Sequence, residues 1–238
     1  RDYVSRCMDQ EIKEGRGCGP SKSYINLDMT HLGADTIALR LPSVQEIGHN
    51  FANVDITKEP IPVIPTNHYQ MGGIPSSISG QVMAPDGSGA QKVVNGLYAV
   101  GECSCVSVHG ANRLGTNSLL DIVVFGRAAG LHIIDFHIQN KEHKPLPDNA
   151  ADISLERLNR LNTSSNGEYA QAVAGEIRDT MQQHASVFRT QASMNEGVVK
   201  IARLRQRVGD LKLSDKSQIF NTERIEALEV ENMIEVAQ

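Results

Sequence analysis

Hydrophobic residues recur at helical spacing throughout the second half of the chain. Beyond residue 150 the pattern predicts helices over about 152–162, 168–189, 194–211 and 222–236. In the last of these, apolar residues fall at i, i+3, i+4 and i+7, namely Val230, Met233, Ile234 and Ala237. Ser193 and Glu196 have the spacing of a capping box, which predicts a helix start at Ser193. This part of the chain is therefore expected to form an all-helical packing or docking module.

The first half alternates between helical and extended patterns. Helices are predicted over residues 1 to about 15 and over Asp35–Phe51, although Pro42 lies inside the second one. The sequence YINLDM (24–29) alternates as a short strand does. Proline fixes its own φ and favours an extended residue before it, so EPIPVIPT (59–66) is predicted to be a stiff extended rod. Asn95-Gly96 predicts a tight turn, and LYAV (97–100) a short buried strand.

A long apolar run predicts a helix from about Ser118 to Ile138. Apolar residues lie on nearly every side of it, so we expect it to be buried. Gly126 and Gly130 share one face of this helix and would let another backbone approach closely. Charged and polar residues interrupt the run, which excludes a membrane span of about 20 nearly uncharged residues. The polar segment 139–149 contains two prolines and is predicted to be a linker.

Composition narrows the classes of function. The chain has 238 residues and a net charge of -5, so no global positive field would attract nucleic acid. The cluster Arg203, Arg205 and Arg207 is interpreted as a solvated helix face. The four cysteines include no CxxC pair and no second ligand pair, so we expect reduced, buried thiols and no metal site. Because the chain begins at Arg1 and ends without a closing signal, we expect it to be a piece of a longer protein.

Three basic side chains are candidates for binding a small dicarboxylate. They are Arg1, His68 directly after the proline-rich rod, and Arg113 within VHGANRLGTNSLL (108–120). Arginine carries a fixed charge on a planar fork that suits a carboxylate, and histidine adds a donor. Each also has a purely structural interpretation. Arg113 could bind a loop or a structural carboxylate, His68 could be a core histidine, and Arg1 could be a surface residue.

The Asn117-Ser118 junction indicates a different kind of site. Either side chain is a good N-cap, and a buried helix start offers N–H groups and a positive dipole end to an anionic or electron-rich cofactor. Glu102 follows a predicted strand and is similar to the acidic residues that bind ribose or ribityl hydroxyls in α/β nucleotide sites. The alternative is a plain capped helix beside a surface glutamate.

Several motifs resemble those of the succinate dehydrogenase/fumarate reductase flavoprotein family. The most specific are HYQMGG (68–73), GLYAVGE (96–102) and HGANRLGTNSLLDIVVFGRAAG (109–130). RDYVSR, IKEGRG, LDMTHLG and KEPIPVIPT match in the same order, and LERLN, NGE, SVFRT and FNTERIEALE resemble the helical domain. The resemblance covers essentially the whole chain.

The resemblance implies an α/β fold combined with an all-α part. Residues 1–58 would be part of a capping domain, and 59–138 the C-terminal portion of a Rossmann-like FAD-binding domain. Residues 139–149 would be a linker, and 150–238 a truncated helical-bundle C-terminal domain. The family's GxGxxG loop and the histidine that attaches FAD covalently would lie outside this chain.

The resemblance also implies residue roles. Arg1 would accept a proton from succinate, while His68 and Arg113 would bind its carboxylates. FAD would accept the hydride, giving fumarate, and would contact the residues Glu102, Ser118 and Leu119. Because the dinucleotide-binding half is missing, we expect this polypeptide alone to be inactive.

Partners and alternatives follow from the same resemblance. Electrons would pass to an iron–sulfur subunit and, through membrane-anchor subunits, to quinone. The protein would then lie peripherally on the cytoplasmic face of a bacterial inner membrane or the matrix face of the mitochondrial inner membrane. Fumarate reductase, with the opposite direction, and L-aspartate oxidase are alternatives, although Leu114 and Gly115 favour the dehydrogenase. A non-catalytic helical scaffold is the alternative from another class.

Overall fold

The computed structural model describes residues 2–142 and 144–238, so Arg1 lies outside the described residues. The α-helices are α1 (Asp2–Lys13), α2 (Ala34–Arg40), α3 (Pro42–Ala52), α4 (Asn117–Gln139), α5 (Asp152–Thr163), α6 (Ala170–His184), α7 (Gln191–Val208) and α8 (Thr222–Ala237). The strands are β1 (Ile25–Leu27), β2 (Ile61–Val63), β3 (Ile74–Pro75), β4 (Gln81–Pro85), β5 (Gln91–Tyr98), β6 (Ser104–Cys105), β7 (Glu168–Tyr169) and β8 (Leu211–Lys212). Short 3-10 turns cover Thr30–Leu32 and Gly101–Cys103. The predicted mixture of α/β and all-α structure is confirmed.

The described chain divides into two compact units. One combines the chain up to Thr66 with Ala151–Gln238, and the other is Asn67–Ala150. The domain bounds expected from the resemblance are not decided by this division, so they stay a prediction.

The helical part of the first unit is built around one apolar core. The core comes from α5 to α8 and the turns between them, and its most buried large side chains are Leu161, Val173, Ile177, Leu211 and Ile234. The stripe predicted for α8 is confirmed, since Val230 and Ile234 are each 2% exposed. A two-residue parallel ladder between β7 and β8 joins two of the helix connections, and no sequence pattern predicted it.

The start of α7 differs from the prediction. Thr190 is the N-cap, and its Oγ1 accepts a hydrogen bond from the N–H of Ser193 at 3.2 Å. The helix has therefore already begun at Ser193, whose own hydroxyl lies 3.1 Å from Nδ1 of the buried His184. The predicted capping box at Ser193 is wrong because a threonine three residues earlier fulfils the same requirement.

The interpretation of the arginine cluster on α7 as a solvated face holds for the exposed Arg203 and Arg205, whereas Arg207 is partly buried. Arg207 donates to both Glu168 and Glu176, with all four N–O distances at 2.6–2.7 Å. Arg205 pairs with Glu235 at 2.9 Å. The arginines therefore join α7 to β7, α6 and α8.

The early segment of the first unit contains two helices where one was predicted. Leu41 separates α2 from α3, and Pro42 begins the second helix. A proline at this position loses no intrahelical hydrogen bond, since the first N–H groups have no partner there. Strand β2 lies in the proline-rich rod and pairs antiparallel with β1, and Ile37, Ile56 and Ile61 form a small core beside them. The prediction of an extended, non-helical segment at 59–66 is confirmed.

The second unit contains the β4–β5 hairpin and the long helix α4. The hairpin turns at 86–90, where the N–H of Asp86 bonds to the carbonyl of Ala90 at 3.1 Å. The turn predicted at Asn95-Gly96 is wrong, because β5 continues through it. Gly96 has φ +83° opposite an irregularity in the ladder, so its conformational freedom serves a bulge. Leu97 is 52% exposed, so the predicted burial of LYAV does not hold for that residue.

Helix α4 occupies the predicted range, but its predicted burial is wrong. Only Asp121 and Ala129 are classed as buried, whereas Leu119, Val123 and Ile138 are more than 60% exposed. A Cβ added to Gly126 or Gly130 would meet no described atom within 4 Å, so no described backbone approaches these glycines. The apolar composition of α4 predicted its burial, but composition does not show whether another part of the described chain packs against the helix. In the described part of the chain, no helix is both long and apolar enough to cross a membrane.

The cysteines also differ from the prediction. All four are free thiols, as expected, but Cys7 and Cys103 are exposed and Cys18 and Cys105 are only partly buried. Cys7 lies in α1, Cys18 in an isolated bridge with Tyr24, Cys103 in a 3-10 turn and Cys105 in β6.

The two ion pairs of Arg207 generate a prediction about pH. The pKa values of Glu168 and Glu176 are held below their ordinary value of 4.5, chiefly by hydrogen bonds from Arg207. Such carboxylates stabilise the fold above the unfolded pKa, and this stabilisation is lost as the pH falls through the folded pKa. Because the three side chains are partly exposed, we expect Arg207→Met to lower the free energy of unfolding by at most about 1 kcal/mol at neutral pH.

Thermal unfolding between pH 7 and pH 3 tests this prediction. The difference between the wild type and Arg207→Met should be constant at neutral pH and should shrink below about pH 4.5. Arg203→Met, which removes an exposed arginine from the same helix, is the matched control and should show no such pH dependence. A difference that grows at low pH would contradict the assignment.

Candidate functional site

The candidate site is assembled from three segments of the second unit that follow short strands or precede a helix. Residues 68–73 lead into β3, which pairs in parallel with β6 through Ile74 and Ser104. The loop between β6 and α4 then carries VHGANRLGTNSLL. The β3–β6 pairing thus holds the segment after the proline-rich rod against the segment that contains Glu102.

Gly73 is required where these two segments meet. Its φ is +110°, and a Cβ there would lie 2.6 Å from the carbonyl oxygen of Cys103. Both the backbone conformation and the close approach exclude other residues without a local rearrangement. Gly72 has φ +91° but open space around its Cα.

Tyr69 lies at the centre of the site. Its side chain is 8% exposed, and the guanidinium carbon of Arg113 lies 4.5 Å from the centroid of its ring. The imidazole of His109 meets the same ring edge-on, with centroids 5.9 Å apart and an interplanar angle of 83°. One buried aromatic ring thus contacts both a cation and a histidine.

His109 is in turn held by a buried carboxylate. Its Nε2 lies 3.1 Å from Oδ2 of Asp121, which is 4% exposed and lies near the start of α4. Three buried polar atoms in this group have no hydrogen-bond partner among the described residues. They are Nδ1 of His109, Oδ1 of Asp121 and Nε of Arg113. Such atoms concentrated in one place are typical of a functional site.

The charges around Tyr69 keep its phenol protonated. Burial raises the pKa of Tyr69 above its ordinary value of 10.0, and the carboxylates of Asp121 and Glu102 raise it further. Arg113 opposes this effect. Tyr69 is therefore a neutral ring at physiological pH, and its face remains available to the guanidinium.

The sequence-predicted substrate residues lie on either side of Tyr69. His68 precedes it and is exposed, while Arg113 is partly buried against its ring. The N–H of Gln70 donates to Oε1 of Glu102 at 3.1 Å, which fixes the backbone on the other side of Tyr69. The structure thus brings Arg113 and Glu102 to the segment that carries His68. The predicted catalytic residue Arg1 lies outside the described residues.

The predicted cofactor residues Ser118 and Leu119 lie in the first turn of α4. The N-cap is Thr116, with φ +69° and no side-chain hydrogen bond to the helix, so the N-cap predicted at Asn117 or Ser118 is wrong. The N–H of Leu119 bonds to the carbonyl of Thr116 at 3.0 Å. Ser118 is partly buried and Leu119 is 67% exposed.

Sequence reasoning missed Tyr69, His109 and Asp121 as members of the site. The available signal was Asp121, a single carboxylate in the first turns of an apolar helix. A charge in that position needs a buried partner, and the polar residues of VHGANRLGTNSLL, His109 among them, come directly before it in sequence.

Comparisons with known proteins match two family models and several flavoprotein subunits. A family model described as "FAD binding domain" matches residues 1–119, and one described as "Fumarate reductase flavoprotein C-term" matches residues 174–238. The chain is 46% identical over 237 residues to the succinate dehydrogenase flavoprotein subunit of Coxiella burnetii, covering 100% of this chain and 40% of that protein. It is 44% identical to the mitochondrial succinate dehydrogenase [ubiquinone] flavoprotein subunit of Oryza sativa subsp. japonica, covering 98% and 37%.

Solved structures give the same result. A structure described as "Quinol-Fumarate Reductase with Menaquinol Molecules" matches with a TM-score of 0.80 and 34% identity, over 100% of this chain and 40% of that one. The Sdh1 complex of Mycobacterium smegmatis in its apo form matches with a TM-score of 0.75 and 33% identity, over 100% and 38%. The chain belongs to the succinate dehydrogenase/fumarate reductase flavoprotein family.

FAD is the cofactor of this family, and oxidoreduction is the family's class of chemistry. The chain spans about 40% of the length of the curated relatives that it matches. The residues that the resemblance assigns to FAD fit a polar cofactor. Glu102 offers an exposed carboxylate that can accept hydroxyl hydrogen bonds, and the first turn of α4 has no side-chain cap.

A cavity of about 180 Å³ adjoins the Tyr69–His109 pair and is lined by residues of 69–72, 104–110 and Asp121. Flavoprotein ligand pockets must be larger than this, since drug-sized ligand pockets alone occupy about 300–1,000 Å³. The cavity by itself therefore does not hold the cofactor.

The two neighbouring glycines give a prediction about how the site is held. Gly73→Ala should reduce both the free energy of unfolding and the flavin content of the full-length flavoprotein, because its Cβ would strike the Cys103 carbonyl. Gly72→Ala is the matched control: its positive φ costs roughly 1–2 kcal/mol, but its Cβ meets no atom. Thermal unfolding and flavin absorbance of the two variants should therefore rank Gly73→Ala as the more damaged, and equal damage would contradict the close approach.

Proposed function

We propose that the protein to which this chain belongs is the flavoprotein subunit of a succinate dehydrogenase. It would oxidise succinate to fumarate, with FAD as hydride acceptor. The observation that carries this proposal is the Arg113 guanidinium stacked on the ring of Tyr69, beside His68, in a chain with 44–46% identity to succinate dehydrogenase flavoprotein subunits.

Arg113 would bind one carboxylate of the substrate. Its Nη1 makes only a long contact of 3.5 Å with the carbonyl of Leu114, so no described carboxylate occupies its fork. A planar guanidinium can donate two parallel hydrogen bonds to one carboxylate. Its partial burial raises the strength of that interaction, because the local dielectric is lower than in water.

His68 would bind the second carboxylate, and Arg1 would accept the substrate proton. The imidazole of His68 is exposed, so it is accessible to a ligand. An arginine base needs neighbouring groups to relay its proton, because the ordinary pKa of a guanidinium lies far above working pH. Glu102, Ser118 and Leu119 would contact FAD, whose covalent attachment histidine would lie outside this chain.

Identity favours the dehydrogenase over the reductase. The chain is 46% identical to the dehydrogenase subunit of Coxiella burnetii but 35% identical to the fumarate reductase flavoprotein subunit of a Serratia species. Both groups share the dicarboxylate chemistry, so fumarate reduction is the second candidate. Direct measurement of turnover in each direction with the full-length protein separates the two.

We also propose that electrons leave through an iron–sulfur subunit and reach quinone through membrane-anchor subunits. The protein would then be peripheral, on the cytoplasmic face of a bacterial inner membrane or the matrix face of the mitochondrial inner membrane. Support comes from relatives named as bacterial and mitochondrial dehydrogenase subunits.

Replacing Arg113 tests the proposed substrate site. In the full-length, FAD-loaded protein, Arg113→Ala should weaken fumarate binding by about 10- to 150-fold, because a charged hydrogen bond is worth roughly 1.5–3 kcal/mol. Binding is measured from the change in flavin absorbance, and turnover from succinate oxidation.

The matched control is Arg127→Ala, which removes an exposed arginine from α4, the helix that follows the loop of Arg113. It should retain fumarate affinity and turnover. If Arg113→Ala retained both while keeping its flavin, the substrate site would be refuted and the scaffold interpretation favoured.

The isolated 238-residue polypeptide gives a separate prediction. We expect it neither to hold FAD stably nor to oxidise succinate, because the dinucleotide-binding half of the family is not among its 238 residues. The exposed apolar surface of α4 supports this expectation. Flavin absorbance of the purified polypeptide measures it directly, and stoichiometric bound flavin would overturn it.

A further inference from the structure

The group formed by Asp121, His109, Tyr69 and Arg113 has a consequence beyond the binding of one carboxylate. Arg113 and His68, which the proposed function assigns to the two ends of one dicarboxylate, are 45 positions apart in sequence. A dicarboxylate has a fixed length, so the two residues must be held at a fixed separation. Tyr69 is bonded covalently to His68 and contacts Arg113.

We propose that Tyr69 is a positioning residue, held by the His109–Asp121 pair, that sets Arg113 and His68 for the two carboxylates of one substrate. This inference rests on the proposed function. Its physical basis is that the ring binds the guanidinium through its face while its own backbone carries the histidine.

The aromatic face determines where the guanidinium lies. A cation over the face of a tyrosine is attracted by the ring quadrupole, and the guanidinium plane can also stack on the ring. The distance of 4.5 Å from guanidinium carbon to ring centroid fits this geometry. A stacked guanidinium leaves its N–H groups in the plane, where they can donate to a carboxylate.

The His109–Asp121 pair determines where the ring lies. The edge-on contact of His109 restrains the ring of Tyr69, and the buried carboxylate of Asp121 holds His109 at 3.1 Å. Asp121 belongs to α4, the helix whose first turn is assigned to FAD. The His109–Asp121 pair therefore connects Tyr69, and through it Arg113 and His68, to the helix that would contact the cofactor.

The hydrogen bond from Gln70 to Glu102 completes the arrangement. It fixes the peptide that follows Tyr69 to a residue assigned to FAD. The segment 68–70 is thus held by a buried ring in its middle and a backbone hydrogen bond at its end, while His68 remains exposed. The imidazole is left available to a ligand while its backbone is restrained.

The test replaces the ring in the full-length, FAD-loaded protein. Tyr69→Leu removes the aromatic face and should weaken fumarate binding by about 2- to 30-fold, the range expected for the loss of a cation–π contact. The KM for succinate should rise by a similar factor, and kcat should change less, because substrate positioning rather than the reacting bond is affected. Tyr69→Phe retains the face and should restore affinity towards the wild type.

Tyr98→Leu is the matched control. Tyr98 also lies against a histidine, His132, with its hydroxyl 2.8 Å from Nδ1, but in the described part of the chain it makes no hydrogen bond or ring contact with His68 or Arg113. Thermal stability and flavin content are measured for both Tyr98→Leu and Tyr69→Leu, so that any general damage to the fold can be compared. Tyr98→Leu should leave fumarate affinity unchanged. If Tyr98→Leu weakened fumarate binding as much as Tyr69→Leu, a general loss of stability would explain both, and the positioning role would be refuted.

A second variant keeps the inference testable if Tyr69→Leu folds poorly. Asp121→Asn keeps an oxygen that can accept from His109 but removes the negative charge, and it should raise the dissociation constant less than Tyr69→Leu does. Because Asp121 acts through Tyr69, its effect should disappear in the Tyr69→Leu background. Full additivity of the two effects would overturn the proposed connection.

The outcomes separate this inference from the proposed function. If Arg113→Ala leaves fumarate affinity unchanged, the proposed function fails. If Arg113→Ala abolishes binding but Tyr69→Leu retains wild-type affinity, only the positioning role fails. Equal loss in Tyr69→Leu and Tyr69→Phe would also refute it, because the aromatic face would then have no part in the effect.

Discussion

The cation–π contact of Arg113 with the buried ring of Tyr69 is the interaction on which the candidate site depends. It joins a loop that precedes α4 to a segment that follows the proline-rich rod, at a guanidinium-to-ring distance of 4.5 Å. The edge-on contact of Tyr69 with His109 joins the same two segments, and the hydrogen bond from Gln70 to Glu102 fixes the backbone beside Tyr69. A partly buried arginine without a described carboxylate partner is costly to keep, so its retention beside an exposed histidine indicates a ligand with negative charge.

The surrounding structure supports that interaction from two directions. The parallel pairing of β3 with β6 requires Gly73, and it brings the 68–70 segment to Glu102. The Asp121–His109 pair restrains the Tyr69 ring from the side of α4. Under the proposed function, these contacts would place the two carboxylates of one substrate beside one cofactor. The helical core of the first unit is a separate structure with its own ion pairs around Arg207.

Much of the fold could be predicted from the sequence because it follows local patterns. The stripe on α8 and the length of α4 depend on residues three or four positions apart, and both were found in the structure. The wrong predictions came from local patterns that are compatible with more than one structure. Asn95-Gly96 is a turn signal, but Gly96 uses its positive φ inside a bulged strand. The apolar composition of α4 predicted burial, although composition does not identify a covering surface.

The site could be predicted only in part, because local patterns do not encode contacts between residues far apart in sequence. Arg113, His68 and Glu102 stand out by residue type and by resemblance to the family. The contacts of Tyr69 with His109 and Arg113 join residues about 40 positions apart, and no periodicity encodes such a contact. Asp121 was visible as a charge within an apolar helix, but its partner was visible only in three dimensions.

A structure of the full-length, FAD-loaded protein with fumarate bound tests the central claim most directly. The account predicts that one carboxylate of fumarate pairs with the fork of Arg113 while the guanidinium remains on the ring of Tyr69, and that the other carboxylate contacts His68. Fumarate bound away from both residues, or an Arg113 side chain turned from Tyr69 towards a protein carboxylate, would contradict it.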